Sequence, residues 1–242
     1  MGELDGRRVL VTGASSGIGE STARAVAGAG GAVALLARSE DKLAALADEL
    51  GGVAVPADVT DVDATRRAVD DAADRLDGLD AIVNSAGVVR PAPVSEGDPS
   101  DWQLMFDVNV LGLLVATQAA IPHLRSAGGG NIVNVSSMSG RRLSSVPTTV
   151  YSGTKFAVHV ISEGLRRELH EHNIRVTILA PGFVDTPIFD DLEDEETRER
   201  YRDAAQRVGL SAESVAEHVV HALAAPPDVT VYEVALYHTA QD

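Results

Sequence analysis

A glycine-rich turn, Gly13-Ala14-Ser15-Ser16-Gly17-Ile18-Gly19, stands between the apolar run Val9–Thr12 and a helix-period stretch, Ile18–Ala29. A buried strand that passes through such a turn straight into a helix is the opening of a β-α unit, and repetition of that unit builds a parallel sheet. Small residues let the backbone come close to a pyrophosphate, and the unpaired N–H groups of the helix N-terminus attract it. Gly13, Ser15, Ser16, Gly17, Ile18 and Gly19 are therefore candidate nucleotide-binding residues. Their spacing is Gly-x3-Gly-x-Gly, not the commoner Gly-x-Gly-x2-Gly, so position between strand and helix carries much of the argument.

The alternation continues along the chain. Strand-like runs fall at Ala32–Ala37, Val53–Pro56, Ala81–Asn84, Asn131–Ser136 and Arg175–Ala180. Helical patterns cover Glu40–Leu50, Asp61–Leu76, Trp102–Ser126 and Tyr151–His172, with Gly128-Gly129-Gly130 closing the third of these. The pattern predicts an α/β fold, a doubly wound parallel sheet with helices on both faces. At 242 residues, with no repeat and no linker, the expectation is one domain over 1–242.

Composition narrows the partners. The formal net charge of −16, from 36 acidic and 20 basic residues, argues against nucleic acid or an anionic membrane. With no cysteine, disulfides, thiolate catalysis and cysteine-ligated metal are excluded. The start has charges before a short strand and no signal-peptide core, and no apolar run is expected to reach membrane-spanning length. A cytoplasmic protein is expected. His170-Glu171-His172 and the His218/His221 pair read as solvated helix surface, and no metal site is expected.

Tyr151 and Lys155 lie four residues apart, which on a helix puts phenol and ammonium on one face. An ammonium there lowers the phenol's pKa toward neutrality, so that it exchanges protons with a substrate oxygen. The second strand ends Leu36-Ala37-Arg38-Ser39. NAD enzymes tend to carry a carboxylate at this position for the ribose hydroxyl. Arg38 instead suits a phosphate, which points to NADP(H).

These residues resemble the short-chain dehydrogenases/reductases. Thr12 to Gly19, Asp58-Val59, Asn84-Ser85-Ala86-Gly87, Asn109, Ser137, Tyr151-x3-Lys155 and Pro181-Gly182 occur in that family's order, across nearly the whole chain. The resemblance implies strand order 3-2-1-4-5-6-7, with the cofactor across the carboxyl ends of the strands. It implies that Asp58 and Val59 hold adenine, that Asn84 supports the central strand, and that Ala86 and Gly87 pack under the ribose. Asn109 would hold a relay water, Ser137 and Tyr151 would act on the substrate oxygen, and Lys155 would also bind the ribose. Val184 and Thr186, after Pro181-Gly182, would anchor the carboxamide. A substrate lid is implied near 185–210, and assembly as a homodimer or homotetramer.

Two positions depart from the pattern. Ser85 replaces a usual asparagine, and the interval from Ser137 to Tyr151 is one residue longer than usual, which makes Ser136 a rival. Strand alternation allows only one of these two hydroxyls to face the nicotinamide, and Met138-Ser139-Gly140 favours Ser137. The activity implied is hydride transfer between NADP(H) and a small-molecule carbonyl or secondary alcohol (a CH–OH group). An epimerase or dehydratase with resident cofactor and a non-catalytic NADP(H) sensor are the alternatives. Pro91, Val94, Met138, Leu143, Val146, Phe183, Ile188, Phe189 and Leu192 are candidate pocket walls, which points to a mainly apolar substrate. The C-terminal segment resembles a branch acting on 3-hydroxy acids and serine.

Overall fold

The structure is a computed structural model that describes residues 2–241. Seven strands form one sheet, in the order β3-β2-β1-β4-β5-β6-β7, and every pairing is parallel. They are β1 Arg8–Thr12, β2 Ala32–Leu36, β3 Val53–Ala54, β4 Ala81–Asn84, β5 Gly130–Val135, β6 Ile174–Pro181 and β7 Glu233–Leu236. The central strands are buried on both faces. That explains their continuous apolar runs, since a parallel sheet with covered faces has no solvent side to favour polar residues.

Helices α1 Gly17–Gly28, α2 Glu40–Leu50 and α8 Ala212–Ala224 cover one face, where Val26, Leu43 and Val219 pack against Val9, Val11 and Val133. The other face is covered by α3 Val62–Leu76, α5 Leu113–Ser126 and α6 Thr149–Leu169, packed on Leu10, Ile82 and Ile132. Local chemistry sets several helix ends. Asp61 accepts from the Ala64 N–H at the start of α3. Asp98 accepts from Ser100 ahead of α4 Pro99–Phe106, with proline in the first turn. Helix α7 Glu195–Val208 lies near the carboxyl ends of the strands and is described with the cleft below.

Three features depart from the sequence reading. Strand β7 is not among the runs picked out one by one, although the family resemblance implies a seventh strand: it is a short edge strand, only partly buried. Strand β3 stops at Ala54, before Pro56, which cannot donate to a ladder. The expectation that no apolar run reaches membrane-spanning length is corrected. A π-helical turn, Asp107–Gly112, joins α4 to α5 into a continuous helix of 28 residues with mean hydropathy 1.7 in its most apolar window. Half of that window is buried in the protein, and Ala116, Ala120 and Leu124 are fully enclosed against Ile82 and Ile132. Its apolar character is accounted for by the sheet it covers.

Candidate active site

The carboxyl ends of the strands open into a cleft of about 930 Å³. Its position follows from topology: β1 lies between β2 and β4, so the connections on its two sides diverge and leave a crevice above it. Gly13, at φ 67°, forms the floor where a Cβ would stand 2.8 Å from the Ala86 backbone nitrogen. A Cβ on Gly19 would lie 2.2 Å from the Gly13 carbonyl oxygen. Both glycines are required by backbone-to-backbone approach, which no side-chain adjustment relieves. Ser16 caps α1 in an extended conformation without a side-chain bond to the helix, so the first-turn N–H groups remain available. Ser15, Gly17 and Ile18 line the same end of the cleft.

Arg38 stands at the rim here, exposed, with no hydrogen-bond or ion-pair partner among the described residues. Asp58 and Val59 line the neighbouring wall. One Asp58 oxygen already accepts from the Thr60 N–H at 2.9 Å and its hydroxyl at 2.8 Å, which fixes the carboxylate's orientation. Ala86 and Gly87 form the floor beyond Gly13. Thr12, which the sequence reading leaves unassigned, accepts from the Ser85 and Ala86 N–H groups at 3.1 Å and ties β1 to the turn after β4. The serine at position 85 leaves this backbone tie intact.

Asn84 and Asn109 do not line the cleft. Asn84 Nδ2 donates to Thr117 Oγ1 and Asn134 Oδ1, and Asn134 donates on to Ser162 of α6. This buried chain fixes β4 and β5 to the helices below. Asn109, in the π-helical turn, accepts from Val88 N and donates to Val88 O and Thr154 Oγ1. It bolts the segment after β4 to α6. Both asparagines thus act on the cleft through other residues.

Helix α6 brings Tyr151 and Lys155 to the middle of the cleft, opposite the end of β5, where Ser136 and Ser137 lie. The two serines differ. Ser136 is buried and its hydroxyl donates to the Lys155 carbonyl at 3.3 Å. Ser137 faces the Tyr151 phenol, while its Oγ accepts from the Ser139 N–H at 3.1 Å. Lys155 Nζ lies 5.7 Å from the centre of the Tyr151 ring and donates to the Val135 carbonyl at 2.9 Å.

The electrostatics reverse one expectation. In the protein alone, burial pushes the Tyr151 phenol up to about 12, and the Ser137 hydrogen bond offsets only part of this. Burial also pushes Lys155 down to about 8. The sequence reading expects the ammonium to pull the phenol toward neutrality. Desolvation wins because the lysine shares the buried environment and is itself less readily charged.

After β6, Pro181, Gly182, Val184 and Thr186 cross the top of the cleft. A Cβ on Gly17 would lie 3.1 Å from the Thr186 side chain, so this segment meets the glycine turn. The C-terminal tail returns to brace it: Gln241 Oε1 accepts from the Phe183 N–H at 3.1 Å. Of the expected pocket walls, Met138, Leu143, Phe183, Ile188 and Phe189 line the cleft, whereas Pro91, Val94, Val146 and Leu192 do not. Arg142 and Tyr237 line it too, with the guanidinium 5.8 Å above the phenol ring. The far end is therefore less apolar than the sequence reading expects. Tyr237 and Gln241 carry no local signal in the sequence, because only the return of the tail across β6 places them here.

A family model described as short chain dehydrogenase matches residues 7–197. The chain belongs to this family. An uncharacterised oxidoreductase of Staphylococcus saprophyticus is 36% identical over 242 residues, covering 98% of this chain and 99% of its own. Among solved structures, an alcohol dehydrogenase from the archaeon Thermococcus sibiricus, complexed with 5-hydroxy-NADP, superposes with TM-score 0.86 at 28% identity, covering 98% of each chain. The closed form of a serine dehydrogenase complexed with NADP+ gives 0.87 at 29% identity, covering 97% of this chain and 96% of its own. Membership of the short-chain dehydrogenase family makes this chain an oxidoreductase.

Proposed function

We propose that the protein is an NADP(H)-dependent oxidoreductase that interconverts a carbonyl and a secondary alcohol. The observation that carries this reading is the convergence of Ser137, Tyr151 and Lys155 in the middle of a cleft whose other end holds Arg38, unpartnered among the described residues. The cleft fits a dinucleotide. Gly13 and Gly19 let the turn close tightly on Ala86 and on itself, α1 offers free N–H groups, and Arg38 suits a 2′-phosphate. Gly13, Ser15, Ser16, Gly17, Ile18 and Gly19 would hold the pyrophosphate side, and Asp58 and Val59 the adenine. Ala86, Gly87 and Lys155 would hold the second ribose, with Pro181, Gly182, Val184 and Thr186 around the nicotinamide. When bound, the cofactor supplies or accepts the hydride.

The residues of the chain then have separate tasks. Ser137 donates to the substrate oxygen and holds it beside Tyr151, which gives that oxygen its proton in reduction. Lys155 stabilises the tyrosinate left behind. Asn109 positions the Val88 segment and α6 around this group. With its phenol pushed up to about 12, Tyr151 stays protonated at ordinary pH, which favours the reductive direction. Ser136, committed to the Lys155 carbonyl, is a support for the lysine. Intact Tyr151 and Lys155 argue against a non-catalytic sensor, and the described residues form one sheet with its covering helices, without a separate substrate subdomain of the kind an epimerase would use.

The substrate we infer is a small carbonyl compound with a polar group, because Arg142 stands at the far end of the cleft without a carboxylate partner among the described residues. The serine dehydrogenase among the structural neighbours acts, by its name, on a small alcohol that carries charged groups. Residues 185–210 would close over this end as a lid, since Phe189 stacks on Tyr201 at 4.8 Å and Leu192 is buried with them beside Tyr151. We place the enzyme in the cytoplasm.

The test is NADPH oxidation against a panel of ketones and aldehydes, with NADH in parallel, for the wild type and Arg38→Ala. NADPH should be preferred. A charge-assisted hydrogen bond is worth roughly 1.5–3 kcal/mol, so the variant should lose about tenfold or more of the preference. Equal kcat/KM with NADH in the wild type would sink the cofactor assignment, and no turnover on the whole panel would sink the enzymatic reading.

Assembly as a homodimer or homotetramer is proposed from the outer faces of the same helices. Phe106, Leu111, Phe156 and Val160 are 42%, 51%, 44% and 74% exposed, a set of apolar side chains that one subunit leaves uncovered. Sedimentation at micromolar concentration should show a dimer or tetramer, and a monomer alone would refute this.

A further inference from the structure

His159 lies one helical turn beyond Lys155 and two beyond Tyr151, on the same face of α6. Its ring presses against the short helical turn Met138–Gly140, which follows Ser137 directly. A Cβ on Gly140 would lie 2.7 Å from His159 Cδ2 and 2.8 Å from Nε2. The same turn is closed by the Gly140 N–H donating to the Ser137 carbonyl at 2.8 Å. His159 Nε2 is buried and has no hydrogen-bond partner among the described residues, and Glu233 Oε1 on the seventh strand has only an ion pair. The nearest ion pair is Arg141 Nε to Glu233 Oε1 at 3.3 Å. A buried polar atom without a partner is costly, and an apolar side chain of similar size would fill this place at lower cost.

We propose that His159 is a positioning residue for the reaction: in its neutral form it packs the Ser137–Gly140 turn against α6, and its protonation, favoured by Glu233, sets a second positive charge against Lys155. This rests on the functional reading of Ser137 and Tyr151 above. Four groups face the imidazole. Glu233 comes from β7, Arg141 from the end of the turn, Lys155 from its own helix, and Ser137 presents its backbone. Burial holds His159 below its usual 6.5, Glu233 and a hydrogen bond to the Ser137 backbone work in the opposite sense, and Arg141 and Lys155 add to the depression. The ring is therefore neutral at physiological pH. When it gains a proton, the new charge is attracted to Glu233 and repelled by Lys155 and Arg141. The Lys155 ammonium is therefore disfavoured. The expected consequence is an acid limb in kcat below pH 6.5 that reports His159.

The decisive measurements are the proton NMR titration of His159 in the protein without substrate and the pH profile of kcat, in the wild type, His159→Gln and Glu233→Gln. The wild-type imidazole should titrate below 6.5, and the acid limb of kcat should follow it. Removing the Glu233 charge should move both to lower pH. His159→Gln, which keeps an amide for the Ser137 backbone, should lose the limb while NADPH binding stays within about twofold. Three results overturn the proposal: an imidazole titrating at 6.5 or above, an acid limb unchanged in His159→Gln, or no downward shift in Glu233→Gln. The NMR arm is independent of turnover, so it stands or falls separately from the assignment of Tyr151. Glu233→Gln lies on the half-exposed edge strand and gives a second arm should His159→Gln fold poorly.

Discussion

Tyr151→Phe should lose about 10²–10⁴-fold in kcat, the range typical of a positioned acid-base group, with NADPH affinity nearly unchanged. The substitution removes only the phenolic oxygen. The ring keeps its packing with Val89 and Phe189, and the glycine turn, Arg38 and Asp58 are untouched. Ser137→Ala should reduce turnover strongly, because its hydroxyl faces the phenol. Ser136→Ala should be mild, since its hydroxyl donates to the Lys155 carbonyl within the wall. Steady-state kinetics with NADPH fluorescence titration separate the outcomes. A Tyr151→Phe enzyme that retains most of its activity refutes the mechanism, whereas a dead Ser136→Ala refutes only the choice of serine.

Lys155→Met should damage both turnover and cofactor affinity, and its pH behaviour identifies the lysine. Carbonyl reduction should fade above about pH 8, where Lys155 loses its proton. Tyr151 does not set this loss, since burial pushes its phenol to about 12, out of the relevant range. Lys155→Arg, whose guanidinium stays charged, should be slow yet show no loss between pH 8 and 10. Stability provides a second readout. The folded lysine titrates at about 8 and the unfolded one near its ordinary 10.5, so the unfolded chain binds more protons between these values. Stability should therefore rise with pH across that window. The urea midpoint should climb from pH 8 to 10 in the wild type and stay flat in Lys155→Met. An equal slope in both proteins would falsify the assignment.

Much of the architecture is legible in the chain because it is local. The parallel sheet announces itself through Val9–Thr12, Ala81–Asn84 and the run ending at Val135, where burial on both faces demands unbroken apolar residues. Gly13 and Gly19 are legible because their backbone contacts exclude any side chain. Tyr151 and Lys155 are legible because helical geometry alone puts residues four apart on one face.

What only the tertiary structure decided depends on groups far apart in sequence meeting in one place. Tyr237 and Gln241 reach the cleft by the return of the tail beyond β7, which pairs with β6. The buried chains through Asn84 and Asn109 link β4, β5 and α6, and they show these asparagines to be supports behind the cleft wall. The direction of the Tyr151 shift is decided the same way. Spacing places an ammonium near the phenol, but how much water the fold removes from both groups is a property of the packed structure, and here desolvation outweighs the neighbouring charge.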